Sequence, residues 1–558
     1  MSERTLSASR VRIQFGKTPL SVASLRNIQT ATTLCKGGAQ HLLVRTPHAI
    51  ADPIFLTEVE SSELASGALR VALRDQSTKF RAQLELSPSA DGIAFHLSLS
   101  APEPVWVVEY HLQGIDLEEV ILPASGGLSL THAMPPETTL TYKYPFRLNA
   151  QFVLGIARGG GLWLRSKDVR PVFKFIRVTR SRGKFDIAYG IEADGPLKSK
   201  SFEATWYLDC FEGTWKVPAD IHRKWLEEAF ALAPVSSNPS MPGWGRETNF
   251  ILSLGGVGTA SSEPNHTFAQ MTSRLQKWAR MHDPLRTLVY LPRIARHAFG
   301  SGPAGGVPSA ELGGIEQFKS FIAGAHELGY HVMIHADALC MAFDHPQFWR
   351  FEHMQVMDIF GRRQVKSQDI DGDRLAEPVF AYINPGAKDW GELSERAIGE
   401  SIRDYGVDAI FLDHTLQAFN ASRGPNFVDG MREYLRRLKT AFPKTLFVGE
   451  GLHEHIAGIL PFAQIRGAES GEEASAREAR TGWRKVHPIS RYLFGKYARF
   501  TSPLLTPHPS HPIFAAESAA YSKLGVIPSL NLYRHEDQME TPEVRKIIRR
   551  AKRIKGSS

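Results

Sequence analysis

Along residues 1–210 the apolar positions come in short runs, some of them alternating with polar ones. The runs VRIQF, HLLVR, LRVALR, RAQLELS, IAFHLSLS, VWVVEYHL, FVLGIA, GLWLRS, FKFIRVT and FEATWYLD are separated by Gly, Pro, Ser and Asp. In AQLELS every second residue is apolar, the period of a strand with one wet face. Many short strands at close spacing predict a β-sandwich. No fixed-period repeat runs through them, which argues against a propeller or solenoid.

The period changes after residue 210. Pro218 can open a helix, and Ile221, Trp225, Leu226, Ala229 and Leu232 recur at helical spacing. This predicts a connector helix, followed by a Ser/Pro/Gly linker in SSNPSMPGWG. From Asn249 strand-like and helix-like patterns alternate. The clearest strands are NFILSLGG, LRTLVYLPR, YHVMIHAD, AIFLDHT and TLFVGEG. Between them lie FAQMTSRLQKWARMH, IEQFKSFIAGAHELG (stripe Ile315, Phe318, Ile322, Ala325, Leu328), WGELSERAIGESIRDYG (Trp390, Leu393, Ile398, Ile402) and FVDGMREYLRRLKTAF. FAQI at 462–465, YARFTSPLL and VIPSLNLY bring the strands to eight. Alternating strands and helices with buried strands imply a parallel sheet, and eight strands favour a closed barrel. The predicted class is multidomain β plus α/β. A β-sandwich spans 1–215, a connector and linker 216–245, a (β/α)8 TIM-type barrel 246–540 and a basic tail 541–558.

Composition agrees. The 558 residues are too many for one core, and an apolar fraction of 42% supports two or three. Part of the net charge of +8 sits in the tail, at Arg545, Lys546, Arg549, Arg550, Lys552, Arg553 and Lys555. A solvated helix end is the plainer reading of that cluster, and no nucleic-acid partner is expected. Cys35, Cys210 and Cys340 are too far apart for a disulfide framework or a cysteine-rich zinc site. MSERTLSASRVRIQF lacks the apolar core of a signal peptide, and no run approaches the ~18 apolar residues of a membrane span. The expected location is cytoplasmic. No GxGxxG follows the first barrel strand, so no dinucleotide site is expected. No cofactor and no metal are called for.

Catalytic groups of such barrels project from the carboxyl ends of the strands. Strand two ends near Arg293. Strand three ends on His335 and Asp337, and strand four on Asp413 and His414. Strand five ends on Glu450, with His453 and His455 following. Strand eight ends near Tyr533, Arg534, His535 and Asp537. Asp413 and Glu450 end adjacent strands. Two facing carboxylates are what glycoside hydrolysis needs, one to attack or stabilise the anomeric centre and one to protonate the leaving oxygen.

The approach NPGAKDWGELSERAIGESIRDYGVDAIFLD resembles the run into the nucleophile of retaining α-glycosidases of the α-amylase-like and related superfamilies, and FVGEG resembles their fifth strand. The resemblance implies Asp413 as nucleophile and Glu450 as acid/base. Two features depart from α-amylases proper: Phe411 stands where they carry Arg, and their seventh-strand His-Asp pair is absent. A large N-terminal sandwich joined by FEGTWKVPADIHRKW, with GLWLRSKD in a late strand, is closer to the endo-α-N-acetylgalactosaminidase-like group and to DUF6259-type proteins. In those the sandwich is galactose-mutarotase-like. The implied function is retaining hydrolysis of an α-linked glycoside. Arg293, His335, Asp337, His414, His453 and His535 are the candidate sugar-binding residues.

Two alternatives stay open. The barrel could bind carbohydrate without cleaving it. It could instead be a metallohydrolase, given His335 with Asp337, His453 with His455 and His508 with His511, although no closed ligand set assembles. DIDGD at 369–373 resembles part of a calcium loop, but Phe380 stands where the last ligand would be Glu. Trp349, Phe348 and Tyr382 could stack on sugar faces or simply pack.

Overall fold

The computed structural model describes residues 4–556 except 17, 19, 77–78, 256–265, 296–305, 370–372, 374, 466–481, 503–511 and 533–538. The chain divides into two compact units, residues 1–229 with 471–493, and residues 230–470 with 494–558.

The first unit is an antiparallel β-sandwich. One sheet centres on Val107–Ile115, paired with Thr32–Arg45 on one side and Lys184–Glu192 on the other. The second runs through Gly160–Arg165, Ser201–Glu212, Gly92–Ser100 and Arg81–Ser89. Alternate residues of both sheets fill one core. In its middle Trp206 stacks on Phe95 (5.2 Å between ring centroids) and Tyr110 tilts against both. Such aromatic clusters contribute beyond their buried area.

Two features differ from the sequence expectation. Arg484–Val486, inside the span assigned to the barrel, pairs with Leu128–Thr131 at the edge of the second sandwich sheet. Trp483 enters the sandwich core beside it. Three residues are too few to show a strand period. The connector helix, Lys216–Phe230, buries Pro218, Ala219, His222 and Leu226. Ile221 and Trp225 are only half-buried. The buried stripe is rotated by about one residue because His222, polar by type, packs against the Phe152 ring (4.6 Å).

The second unit holds eight parallel strands: β1 Phe250–Ser253, β2 Thr287–Leu291, β3 His331–Asp337, β4 Ala409–Asp413, β5 Leu446–Gly449, β6 Phe462–Gln464, β7 Arg499–Thr501 and β8 Ser529–Asn531. From β1 to β7 each strand pairs with its sequence neighbours, and β8 pairs with β1. A parallel bridge from Thr501 to Ile527 and the Thr501–Ser529 hydroxyl bond (2.6 Å) join β7 to the β8 side. The barrel is thereby nearly closed. Helices α1 Phe268–Ala279, α2 Gly314–Glu327, α3 Lys388–Tyr405, α4 Phe427–Ala441, α5 Pro512–Leu524 and α6 Pro542–Lys552 accompany the strands. In α2 the buried stripe is Phe318, Phe321, Ile322 and Ala325, while Ile315 is exposed. None of the described helices is long and apolar enough to cross a membrane.

The basic tail is in large part a packed helix. α6 buries Val544, Ile547, Ile548 and Ala551, and Asn249 donates to the Ala551 carbonyl (3.0 Å). The cations hid this period in the sequence. They take the opposite face, where Lys546, Arg549 and Arg550 line a cleft of about 730 Å³ with Lys523 of α5.

The Gly-Val-Asp turn before β4 has a structural cause. Gly406 ends α3 in the left-handed conformation, φ 75°, which glycine adopts without strain. Asp408 then accepts from the Val332 N–H (2.8 Å) and His326 Nε2 (2.9 Å), with His331 3.3 Å away. Burial opposes ionisation of Asp408, but these donors outweigh it and hold the carboxyl below its ordinary value. Asp408→Ala should therefore destabilise the protein by about 1–3 kcal/mol at pH 7. A depressed carboxyl contributes only while ionised, so the gap to wild type should narrow as pH falls below about 4. Thermal unfolding across pH checks both statements.

Candidate active site

Side chains of a strand alternate between its two faces. On β4 this puts Ala409, Phe411 and Asp413 on one face, and the first two belong to the core inside the barrel. On β3 it puts Met333, His335 and Asp337 together, and on β5 Leu446, Val448 and then Glu450. Register aligns them, with Met333 opposite Ala409, His335 opposite Phe411 and Asp337 opposite Asp413. Phe411 is opposite Val448, and the Glu450 N–H reaches the Leu412 carbonyl (3.1 Å). Three carboxylates thus share the top layer of the barrel, over an aromatic and aliphatic floor.

Phe411 is that floor. Its ring lies 5.3 Å from Tyr290 and 5.7 Å, nearly stacked, from His335. Tyr290 is fully buried, and burial with the charges of Asp413 and Glu450 raises its pKa. Its hydroxyl stays protonated and shares a hydrogen bond with His335 Nδ1 (2.9 Å). Burial lowers the His335 pKa. The ring is therefore neutral, with one nitrogen a donor and the other an acceptor.

Asp337 is 1% exposed. Its Oδ1 accepts from the Leu339 N–H (3.0 Å), the Cys340 N–H (2.7 Å) and His414 Nδ1 (3.1 Å). Burial alone would raise its pKa; the His414 charge and these donors outweigh it and push the pKa far down. Oδ2 is buried and has no hydrogen-bond partner among the described residues. A buried carboxylate oxygen of that kind is costly unless a ligand pairs with it.

His414 follows Asp413 directly and would point to the opposite face of a continuing strand. It instead adopts φ 63°, uncommon for a residue with a Cβ. The turn aims its backbone N–H at Glu450 Oε2 (3.0 Å) and its ring at Asp337 and at Asp413 Oδ2 (3.5 Å). Burial disfavours the imidazolium, but Asp337, Asp413 and the Cys340 thiol raise its pKa well above the ordinary value. Asp413, half-buried, and Glu450, buried, so lie on the two sides of one histidine.

The other sequence candidates fare differently. Arg293 stands two residues beyond β2, half-buried, and burial lowers its pKa. His453 is buried beside His455, ring centroids 5.9 Å apart, and burial with the nearby Arg432 charge lowers its pKa to about 3. Its Nδ1 has no hydrogen-bond partner among the described residues. His535, with Tyr533, Arg534 and Asp537, lies outside the described residues, as do His508, His511 and the centre of DIDGD. Asn384 of the Asn-Pro element spans to the Pro425 carbonyl (2.9 Å) and accepts from Gly386 (2.9 Å), a structural duty. Trp349 is 74% exposed, whereas Tyr382 is buried with its ring 5.4 Å from His414.

Sequence reasoning missed the residues brought by the excursion between β3 and α3. Cys340–Ala342, Val365–Gln368 and Glu377–Tyr382 form a small antiparallel sheet. It places Cys340 Sγ 3.6 Å from His414 Nδ1 and Lys366 Nζ 3.3 Å from His414 Nε2. Burial pushes the Cys340 thiol up to about 12, so it remains a thiol. The three cysteines are separate buried thiols.

Asp337, Cys340 and His414, or His335, Asp337 and Asp413, hold donor atoms within 4.8 Å of one another, as metal ligands can. The first set fits a cation poorly. A protonated thiol is a weak ligand, Oδ1 already takes three donors, and Lys366 stands at the outer ring nitrogen. This set is a hydrogen-bonded charge network.

The fold is one already seen in a glycosidase. Alpha-N-acetylgalactosaminidase NagBb from Bifidobacterium bifidum, ligand-free, superposes with a TM-score of 0.73 over 99% of this chain and 94% of that one, at 14% identity. Its GalNAc complex gives 0.72 over 99% and 93%, at 12% identity. No family model matches the sequence. No curated protein matches it either. At such identity the likeness speaks for the architecture, sandwich and barrel together.

Proposed function

We propose that the protein is a retaining glycosidase acting on an α-linked hexoside, with an α-N-acetylgalactosaminide the first substrate to try. The observation that carries this reading is the layer of Asp337, Asp413 and Glu450 at the carboxyl ends of three successive barrel strands. The architecture of NagBb supports it and suggests the sugar.

In this reading Asp413 attacks the anomeric carbon and Glu450 protonates the leaving oxygen. Glu450 then takes a proton from water, which attacks the glycosyl ester. The His414 N–H holds Glu450 Oε2, so the proton is delivered from a fixed carboxyl. Buried Asp337 Oδ2 accepts from a sugar hydroxyl, and His335 Nε2 pairs with another. Such buried polar pairs reject substrates lacking the matching group. Arg293 and His535 are assigned to sugar binding, and carbohydrate is the partner.

A panel of aryl α- and β-glycosides, read with ¹H NMR of the first anomer released, tests this. Cleavage of an α-glycoside with the α-anomer released first supports it. Release of the β-anomer first, or cleavage of β-glycosides alone, contradicts it. Binding of sugars without cleavage of any of them would favour the non-catalytic alternative. Asp337→Asn should weaken substrate use through kcat/KM by about 10- to 100-fold, because an amide cannot match the pairing of a buried carboxylate with a hydroxyl. Steady-state kinetics on the best aryl glycoside measures it.

A further inference from the structure

We propose that the cleft between α5 and α6 is a binding site for a small molecule carrying two or more phosphoryl groups. None of its lining residues belongs to the strand-end layer, and its ligand is independent of the glycosidase reading.

α6 turns Val544, Ile547, Ile548 and Ala551 inward and gathers its cations on the other face. Lys546, Arg549, Arg550 and Arg553 line the cleft. They stand three or four residues apart, so they are neighbours on one helix face, and like charges at that spacing weaken a helix. Cations in the last turn gain something back from the negative end of the helix dipole, but Lys546 lies a turn earlier. From the other side α5 adds Lys523 as a fifth cation. One acid, Glu543, lines the same space.

Arg550 shows that this charge is not balanced from within. Its guanidinium reaches across to α5, where Nη1 donates to the Ser518 carbonyl (3.0 Å). Nε is buried and has no hydrogen-bond partner among the described residues. Burial lowers the Arg550 pKa to about 10, and no neighbouring acid offsets it. Among the described residues none of the five cations forms an ion pair. A cation withdrawn from water is costly unless an anion pairs with it.

The cleft, about 730 Å³, has the size of a small-molecule site. A duplex or a membrane would meet the whole basic face, Arg545 and Lys552 included, whereas a compact anion uses only the lining. Five cations against one carboxylate call for several negative charges on that ligand. A terminal phosphoryl group brings about −1.5 to −2 near neutral pH. Guanidinium forks grip its oxygens in two-point contacts. On α5 the exposed Ala515 and Ala519 keep the space open and give an apolar wall for the rest of the molecule.

Titration calorimetry of the full chain with inorganic pyrophosphate, in about 150 mM salt, tests this. Wild type should bind one pyrophosphate per chain, at least about tenfold tighter than orthophosphate. Lys546→Gln with Arg549→Gln removes two lining cations and should weaken pyrophosphate by at least about tenfold. Arg545→Gln with Lys552→Gln removes the same charge from the same helix outside the lining and should change it by less than about twofold. All four side chains are exposed, so both variants should keep the wild-type thermal midpoint without ligand. Pyrophosphate should raise that midpoint in wild type and in the second variant but not in the first. No saturable pyrophosphate binding, equal losses in the two variants, or binding only to DNA or to phosphatidylserine vesicles overturns the inference. Glycoside hydrolysis enters none of these readings, so failure of the glycosidase reading would leave this one standing.

Discussion

Asp413→Asn should lower kcat on an activated aryl α-glycoside by at least about a thousandfold, the scale on which loss of a nucleophile is felt. The amide is the same size as the carboxylate, so the fold should hold. Asp413 ends β4 with its Cα opposite Asp337, and its nearest charged partner is His414 at 3.5 Å. Removing one negative charge there withdraws support for the imidazolium but leaves the Asp337 hydrogen bond in place. The thermal midpoint should therefore move little while turnover disappears. Circular dichroism melts alongside kinetics separate the two effects. A variant that keeps wild-type turnover would remove Asp413 from the chemistry.

Glu450→Gln should cost about 10²- to 10⁴-fold, the range of a general acid/base group. The size should depend on the leaving group. An alkyl or sugar leaving group needs the proton and should lose nearly all turnover. A nitrophenolate leaves without one, so its glycosylation step should be largely spared and the second step, activation of water, should limit. Glutamine can still accept the His414 N–H through its carbonyl, so the turn at His414 survives. Kinetics over a series of phenols of different acidity measures this. Equal losses for every leaving group would mean that Glu450 binds or orients rather than transferring a proton.

Both residues could be read from the sequence because strands keep a strict two-residue period. Once Ala409 and Phe411 are inward, Asp413 is too, and His335 with Asp337 follow from the same rule on β3. Phe411 itself was legible as a departure, and its place in the barrel core under the site explains why an aromatic stands there. His414 was legible as a polar strand end but not as the link between Asp337 and Glu450, since its left-handed turn breaks the alternation. Lys366 and Cys340 were out of reach. They arrive on short strands of the excursion after β3, where neither spacing nor composition says which side chain returns to the barrel. The same limit hid Arg484–Val486, whose partner strand is more than three hundred residues earlier in the chain. In α6 the pattern was present, but seven neighbouring cations drew the eye to its wet face.

The most direct test of the central claim is to trap the glycosyl-enzyme ester. Wild-type protein would be incubated with a slowly turned-over 5-fluoro α-glycosyl fluoride of the best substrate sugar, then digested and mapped by mass spectrometry. The account predicts one sugar per chain, carried on the peptide containing Asp413 and absent from Asp413→Asn. A label on any other residue, or turnover with no covalent sugar at any time, would contradict it.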